Sequence, residues 1–121
     1  MSGWDVRDYL DDMVRYAEIA VRLTEDRSLE QLASDERTSL ALERAIEILG
    51  EAASKVPVEW RARYPDLPWR EMIGLRHRLA HGYFATELFI LHEVATMLLP
   101  PLLPRLREVA TSGWCGIGKV R

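Results

Sequence analysis

The chain predicts an all-α fold, a bundle of four or five helices. Three observations predict it. Apolar residues recur at steps of three and four through most of the chain, no segment alternates with the two-residue period of a strand, and turn-forming residues separate the periodic runs. With 121 residues, 48% of them apolar, the chain suits one small domain able to bury a single core. No internal repeat or low-complexity stretch interrupts it.

The first helix is read from Trp4 to Leu23, where Val6, Tyr9/Leu10, Met13, Tyr16/Ala17, Ala20 and Leu23 form one stripe. Its acids cluster at the start, where the helix dipole favours them. "SLEQL" at 28–32 reads as a short helical turn, and Ser34 or Asp35 caps a second long helix. That stripe runs through Leu42, Ala45/Ile46, Leu49, Ala52/Ala53 and Val56 until Pro57 stops it. The small residues Gly50, Ala52 and Ala53 inside this helix call for close approach by another helix, since a mid-helix glycine needs a packing reason. "PVEWRARY" at 57–64 reads as one or two helical turns and "PDLP" at 65–68 as a turn. Pro68 then opens "PWREMIGLRHRLA", and Gly82 marks its end. A last helix starts near Thr86 and is apolar on nearly every side from Leu88 to Leu103, which predicts burial against both its own bundle and a second subunit. Pro100, Pro101 and Pro104 must kink or divide it. Residues 1–110 are therefore read as the helical domain, and residues 111–121, which lack periodicity, as a flexible tail.

One cysteine, Cys115, excludes a disulfide framework and a thiolate metal cluster and suits a reducing compartment. With no secretory signal and no apolar run of membrane-spanning length, the expectation is a cytoplasmic protein with no membrane partner. Charge is uneven. Residues 1–54 carry 6 Lys/Arg against 13 Asp/Glu, whereas residues 55–81 carry 6 against 3. The net charge of −3 argues against nonspecific nucleic-acid binding over the whole surface, but the strip Lys55, Arg61, Arg63, Arg70, Arg76 and Arg78 suits phosphates.

The chemistry concentrates in "RHRLAHGYF", residues 76–84. Phosphate-cradling, nucleophile-elbow and zinc-protease signatures are all missing. What remains is Arg76-x4-His81-x-Tyr83, with His77 and Arg78 as auxiliary candidates. Cleaving RNA requires taking a proton from a 2′-hydroxyl, holding the charge that develops on the phosphoryl oxygens and protonating the departing 5′-oxygen. Histidine titrates near neutrality and arginine keeps a planar positive fork, so this pair suits that reaction without a metal or cofactor. Tyr83 could stack a base or meet a phosphate. On a regular helix Arg76 and His81 lie about 140° apart, so they meet at a frayed helix end or with a symmetry mate across a two-fold axis. The same residues also fit a helix-end packing and hydrogen-bond cluster. His92 is read as a satisfied core or interface histidine, Trp60 and Trp69 as core anchors, and Glu51 as a surface or paired acid.

"LERAIEILGEAASKV", "PDLPWREMIGLRHRLAHGYF" and a late "LPPLLPRL" together resemble the HepT-like branch of the HEPN superfamily over residues 4–110. The ordered set LGEA, P-x2-PW, IG-x-R and R-x4-H-x-Y carries the resemblance. It implies an α-helical homodimer and a metal-independent ribonuclease that serves as the toxin of a toxin–antitoxin module. Arg76 and His81 would be its catalytic pair, meeting the partner's pair in a cleft between subunits. The implied antitoxin is a minimal nucleotidyltransferase that transfers AMP to Tyr83. His77 stands where relatives mostly carry asparagine, and the tail after Ala110 matches nothing in the family. The contrasting reading is a non-catalytic helical subunit that binds a nucleotide or substrate for a nucleotidyltransferase, and a purely structural dimerisation domain is a third.

Overall fold

The computed structural model describes the backbone of residues 5–81 and 84–120 and the side chains of residues 5–76 and 88–112. Among the described residues there are helices and no strands: α1 (Val6–Thr24), α2 (Leu29–Ala33), α3 (Glu36–Lys55), α4 (Val58–Arg61), α5 (Trp69–His81), α6 (Phe84–Glu93) and α7 (Leu99–Val120), with a π turn at Val94–Leu98 between the last two. The four or five helices expected correspond to the long ones, α1, α3, α5, α6 and α7.

Local chemistry accounts for each start. Asp5 accepts from the Asp8 amide at 3.3 Å while the Asp8 carboxylate accepts from the Asp5 amide at 2.9 Å, closing a capping box on α1. Ser28 and Gln31 repeat the device at α2. Of the two caps expected for α3, Asp35 is the one used. Its carboxyl is held below the usual carboxylate range, first by the Thr38 hydroxyl and then by the Thr38 amide. Asp26, with φ of 57°, turns the chain between α1 and α2 in the left-handed region that aspartate tolerates.

The predicted stripes become the core. Leu10, Met13, Ala17 and Ala20 of α1 meet Leu42, Ala45, Ile46, Leu49, Ala52 and Ala53 of α3, and all are buried. α1 packs on both α3 and α7, and α3 packs on α5. Fully burying each large aliphatic side chain contributes about 1.5–3 kcal/mol. At the rim, the buried Ser39 hydroxyl donates to the Leu32 carbonyl at 2.6 Å and ties α2 to α3.

The proline-rich end is divided, as expected, but by a π turn rather than a break. The Leu99 amide reaches back to the Val94 carbonyl, one residue further than in an α-helix. Pro100 and Pro101 then fall in the first turn of α7, where missing amides are tolerated, and Pro104 lies inside the helix. The extra residue also resets the helical phase. Phe89 and Met97, eight positions apart, come to the same face because two α turns take about 7.2 residues and the π turn adds one. Both are exposed, 53% and 71% respectively. The last helix begins at Phe84 rather than near Thr86, and the backbone of α7 runs helically to Val120, through the stretch read as a tail.

Gly50 meets the close approach expected of it. A Cβ there would lie 2.8 Å from the Met72 carbonyl oxygen and 3.4 Å from the Arg76 amide nitrogen and Cβ. Alanine at this position should therefore be destabilising. It gains about 1 kcal/mol of helix propensity but forces two backbones apart, an overpacking of roughly 1–3 kcal/mol to which a main-chain obstacle adds the upper end. A denaturant midpoint for Gly50→Ala equal to or above that of the parent would refute this account of the α3–α5 contact.

Candidate active site

α5 is the platform of the candidate site, and the segment before it is fastened at several points. The Pro68 carbonyl accepts from the Met72 amide at 3.0 Å to begin the helix. Trp69 is 9% exposed and its indole nitrogen donates to the Tyr64 carbonyl at 2.9 Å, which makes it the core anchor expected. Leu67 and Met72 are buried beside it. From the far end of the chain, Arg105 reaches both carboxylate oxygens of Asp66 at 2.7 and 3.1 Å and lies 5.7 Å from the Tyr64 ring centroid. This clamp holds the Asp66 carboxyl below its ordinary range and pushes the Arg105 guanidinium up, each chiefly through the side-chain hydrogen bonds between them.

Arg76 emerges from this platform beside the Gly50 contact and is exposed. Its backbone is thus fixed by α3 while its guanidinium is free to meet a ligand. α5 continues as a regular helix through His81, with no fraying before its last residue. By register, Arg76 and His81 sit about 140° apart around the axis and about 7.5 Å apart along it. The backbone of His77, Arg78 and His81 belongs to α5, but their side chains lie outside the described residues, and Tyr83 lies outside them altogether.

The basic strip is only partly a strip. Arg61 turns inward and donates to the Val56 carbonyl at 2.8 Å and the Ser54 carbonyl at 3.3 Å, capping the C-terminal end of α3. Half-buried Trp60 packs against the core, as expected, and also carries a cation, Arg63 lying 4.2 Å from its ring centroid. Arg70 and Arg76 remain exposed on α5. His92 is half-buried at the rim rather than in the core. Its Nε2 lies 2.9 Å from the Arg27 carbonyl oxygen, which can only accept, so that nitrogen donates.

Glu51 lines a groove of about 300 Å³ between α1 and α3 with Tyr9, Asp12, Arg44, Ile48, Ala52 and Lys55. Burial pushes the Asp12 carboxyl up in that groove. It opens on the α1 flank of α3, whereas Gly50 and Arg76 lie on the α5 flank. Among the described residues no cluster of three or more His, Cys, Asp and Glu is gathered as a cation site, and no helix is long and apolar enough to cross a membrane. Sequence reasoning missed the Asp66–Arg105 clamp, which joins residues 39 positions apart and leaves no local pattern.

Residues 13–109, from within α1 to within α7, match the family model described as ribonuclease HepT-like. The chain belongs to the HepT-like ribonuclease family. A protein of Thermococcus cleftensis named a probable ribonuclease HepT is 33% identical over 103 residues, covering 85% of this chain and 94% of its own. A predicted RNase of Methanocaldococcus jannaschii is 31% identical over 102 residues, 84% of this chain and 94% of its own. A third relative, a predicted RNase of Caldanaerobacter subterraneus, is 30% identical over 103 residues, 85% and 92% of the two chains. No solved structure matches this chain. The HepT-like match runs from within α1 to within α7 and so takes in the α3–α5 contact that positions Arg76, not the motif alone.

The Asp66–Arg105 clamp predicts acid sensitivity. Asp66 titrates lower in the folded chain than in the unfolded one, so between the two values the unfolded chain binds more protons and stability rises with pH. The contribution is complete above about pH 4 and is lost as pH falls through the lower, folded value. Thermal midpoints recorded on acidification below about pH 4 should fall less steeply for Asp66→Asn than for the parent. Parallel curves would show that the clamp has no energetic weight.

Proposed function

We propose that this HepT-like chain is a metal-independent endoribonuclease, the toxin of a toxin–antitoxin module, and that a nucleotidyltransferase antitoxin silences it by transferring AMP to Tyr83. The observation that carries the ribonuclease reading is the family match across residues 13–109 together with an intact Arg76-x4-His81-x-Tyr83 on and just after α5. The toxin role, the modification and a cytoplasmic location rest on the resemblance carried by these motifs.

The chemistry follows from the two side chains. The 2′-oxygen of the substrate loses its proton and attacks the adjacent phosphorus, and the bond to the 5′-oxygen breaks. The products are a 2′,3′-cyclic phosphate and a 5′-hydroxyl. His81 serves as the general base or acid for one of the two proton transfers, a role for which an imidazole is the usual group. Arg76 holds the phosphoryl oxygens as negative charge grows on them. His77 and Arg78, on the same helix, are auxiliary donors.

A second copy supplies the rest of the site in this reading. The regular register of α5 keeps Arg76 and His81 of one chain on different faces, which favours a cleft that pools residues from two chains. The exposed Phe89 and Met97, brought to one face by the π turn, offer an apolar surface for a homodimer. AMP added to Tyr83 puts a negative phosphodiester beside the cleft, which repels RNA phosphates.

Purified, unmodified protein should cleave single-stranded RNA in excess EDTA. His81→Ala and Arg76→Ala should each lower the rate by roughly 10²–10⁴-fold, the range for losing a proton-transfer group or an oxyanion donor, while the fold is retained. Undiminished cleavage by His81→Ala would sink the assignment. If the parent is inert towards several RNA classes with Tyr83 verified as unmodified, the binding-subunit reading takes its place.

Two mass measurements test the remainder. Incubation with the nucleotidyltransferase and ATP should add AMP to the parent and not to Tyr83→Phe. Sedimentation should give twice the chain mass, reverting to a single chain on Phe89→Asp with Met97→Asp. An adduct that survives Tyr83→Phe removes the modification site, and a monomeric parent removes the dimer.

A further inference from the structure

The arginines of this chain divide into those already engaged and those left open. Arg27, Arg44, Arg105 and Arg107 are each paired with a carboxylate at 2.6–3.0 Å, and Arg61 is spent on the end of α3. Arg70, the second residue of α5, is exposed and carries no ion pair among the described residues. Its position on the helix is informative. Steps of four, three and four lead from Arg70 to Gly74, His77 and His81, so these four positions share the one face of α5 that points away from buried Met72 and Leu75.

Gly74 gives that face its shape. Unlike Gly50, a Cβ at Gly74 would meet nothing within 4 Å among the described residues, so no packing among them calls for glycine there. The residue weakens the helix by about 1 kcal/mol relative to alanine and leaves a bare stretch of backbone between a free guanidinium and the histidine positions. A strand lying along this face can approach the helix axis at the notch. Arg70 stands about 16.5 Å from His81 along the axis, at 1.5 Å per residue, so it cannot touch the bond that His81 acts on. It can hold the same strand further along.

We propose that Arg70 is a substrate-positioning residue, which binds a phosphodiester of single-stranded RNA away from the scissile bond, with the strand running over Gly74 along the outer face of α5. This rests on the ribonuclease reading and adds to it a direction for the strand and a minimum substrate length. A planar, permanently charged fork without a carboxylate partner is the group that suits a backbone phosphate.

The test is a length series. On a long single strand, Arg70→Ala should raise KM about tenfold, the value of one charge-assisted phosphate contact, with kcat kept. The loss should narrow as the strand is shortened towards a dinucleotide, whose only phosphodiester is the one being cut. Binding of the long strand, measured with His81→Ala as background, should show a salt dependence shallower by about 0.7 in log–log slope when Arg70→Ala is added, one phosphate contact on a single strand. Arg70→Lys should restore that slope, because the charge returns. Arg22→Ala, which removes an equal charge from α1, should leave both readouts at parental values.

An equal loss on long strand and dinucleotide, or an unchanged salt slope, overturns the proposal. So does a loss that tracks dissociation of the assembly in sedimentation, which would make this face a contact between copies. If the parent binds RNA but never cleaves it, the ribonuclease reading has failed and the salt slope still decides the role of Arg70.

Discussion

Everything at the candidate site depends on how closely α3 and α5 approach each other at Gly50. With no side chain there, the Met72 carbonyl and the Arg76 backbone press against the α3 main chain, and any larger residue would have to occupy space 2.8 Å from an oxygen that cannot turn away. The contact fixes the height and rotation of α5. Arg76 is therefore a long, exposed side chain on an immobile base, the condition under which one cation can be aimed at a phosphate.

The other fastenings serve the same helix. Trp69 is bonded through its indole to Tyr64, and the Asp66–Arg105 pair joins the turn before α5 to α7. As a surface ion pair the clamp contributes little to global stability at neutral pH. Its effect is local, since it ties the entry of α5 to the helix that closes the bundle against α1. Arg61 caps α3 close to where the chain turns towards α4. The basic surplus of residues 55–81 is thus divided between arginines that build the platform and arginines that stand free on it.

At the proline-rich end, a backbone device shapes the surface. The π turn absorbs the hydrogen-bond disruption of Pro100 and Pro101, and in doing so it rotates Met97 into line with Phe89. In a straight α-helix these two groups would stand about 80° apart around the axis, at about 100° per residue. The sequence showed a helix apolar all round, and the phase shift explains why part of that surface remains exposed in one chain.

Much of this was legible without coordinates. Periodicity and capping chemistry are local, so the stripes of α1 and α3, the start of α3 at Ser34 or Asp35, the stop at Pro57 and the helix opened by Pro68 could all be read from neighbours a few residues apart. Gly50 could be read too, because a glycine inside a strong helix implies a close neighbour. The helical class, the core faces and the short motif that holds Arg76 and His81 are thus set by local pattern alone. Which element Gly50 would meet, that Arg61 would fold back while Arg70 stayed free, and that Asp66 would find Arg105 were decided only by tertiary structure. Each joins groups whose proximity depends on how helices pack rather than on their spacing along the chain. The choice of α-turn or π turn near Pro100 belongs there as well, since several backbone solutions satisfy the same prolines, and Leu91, Leu99 and Leu103 on either side of the turn are all buried.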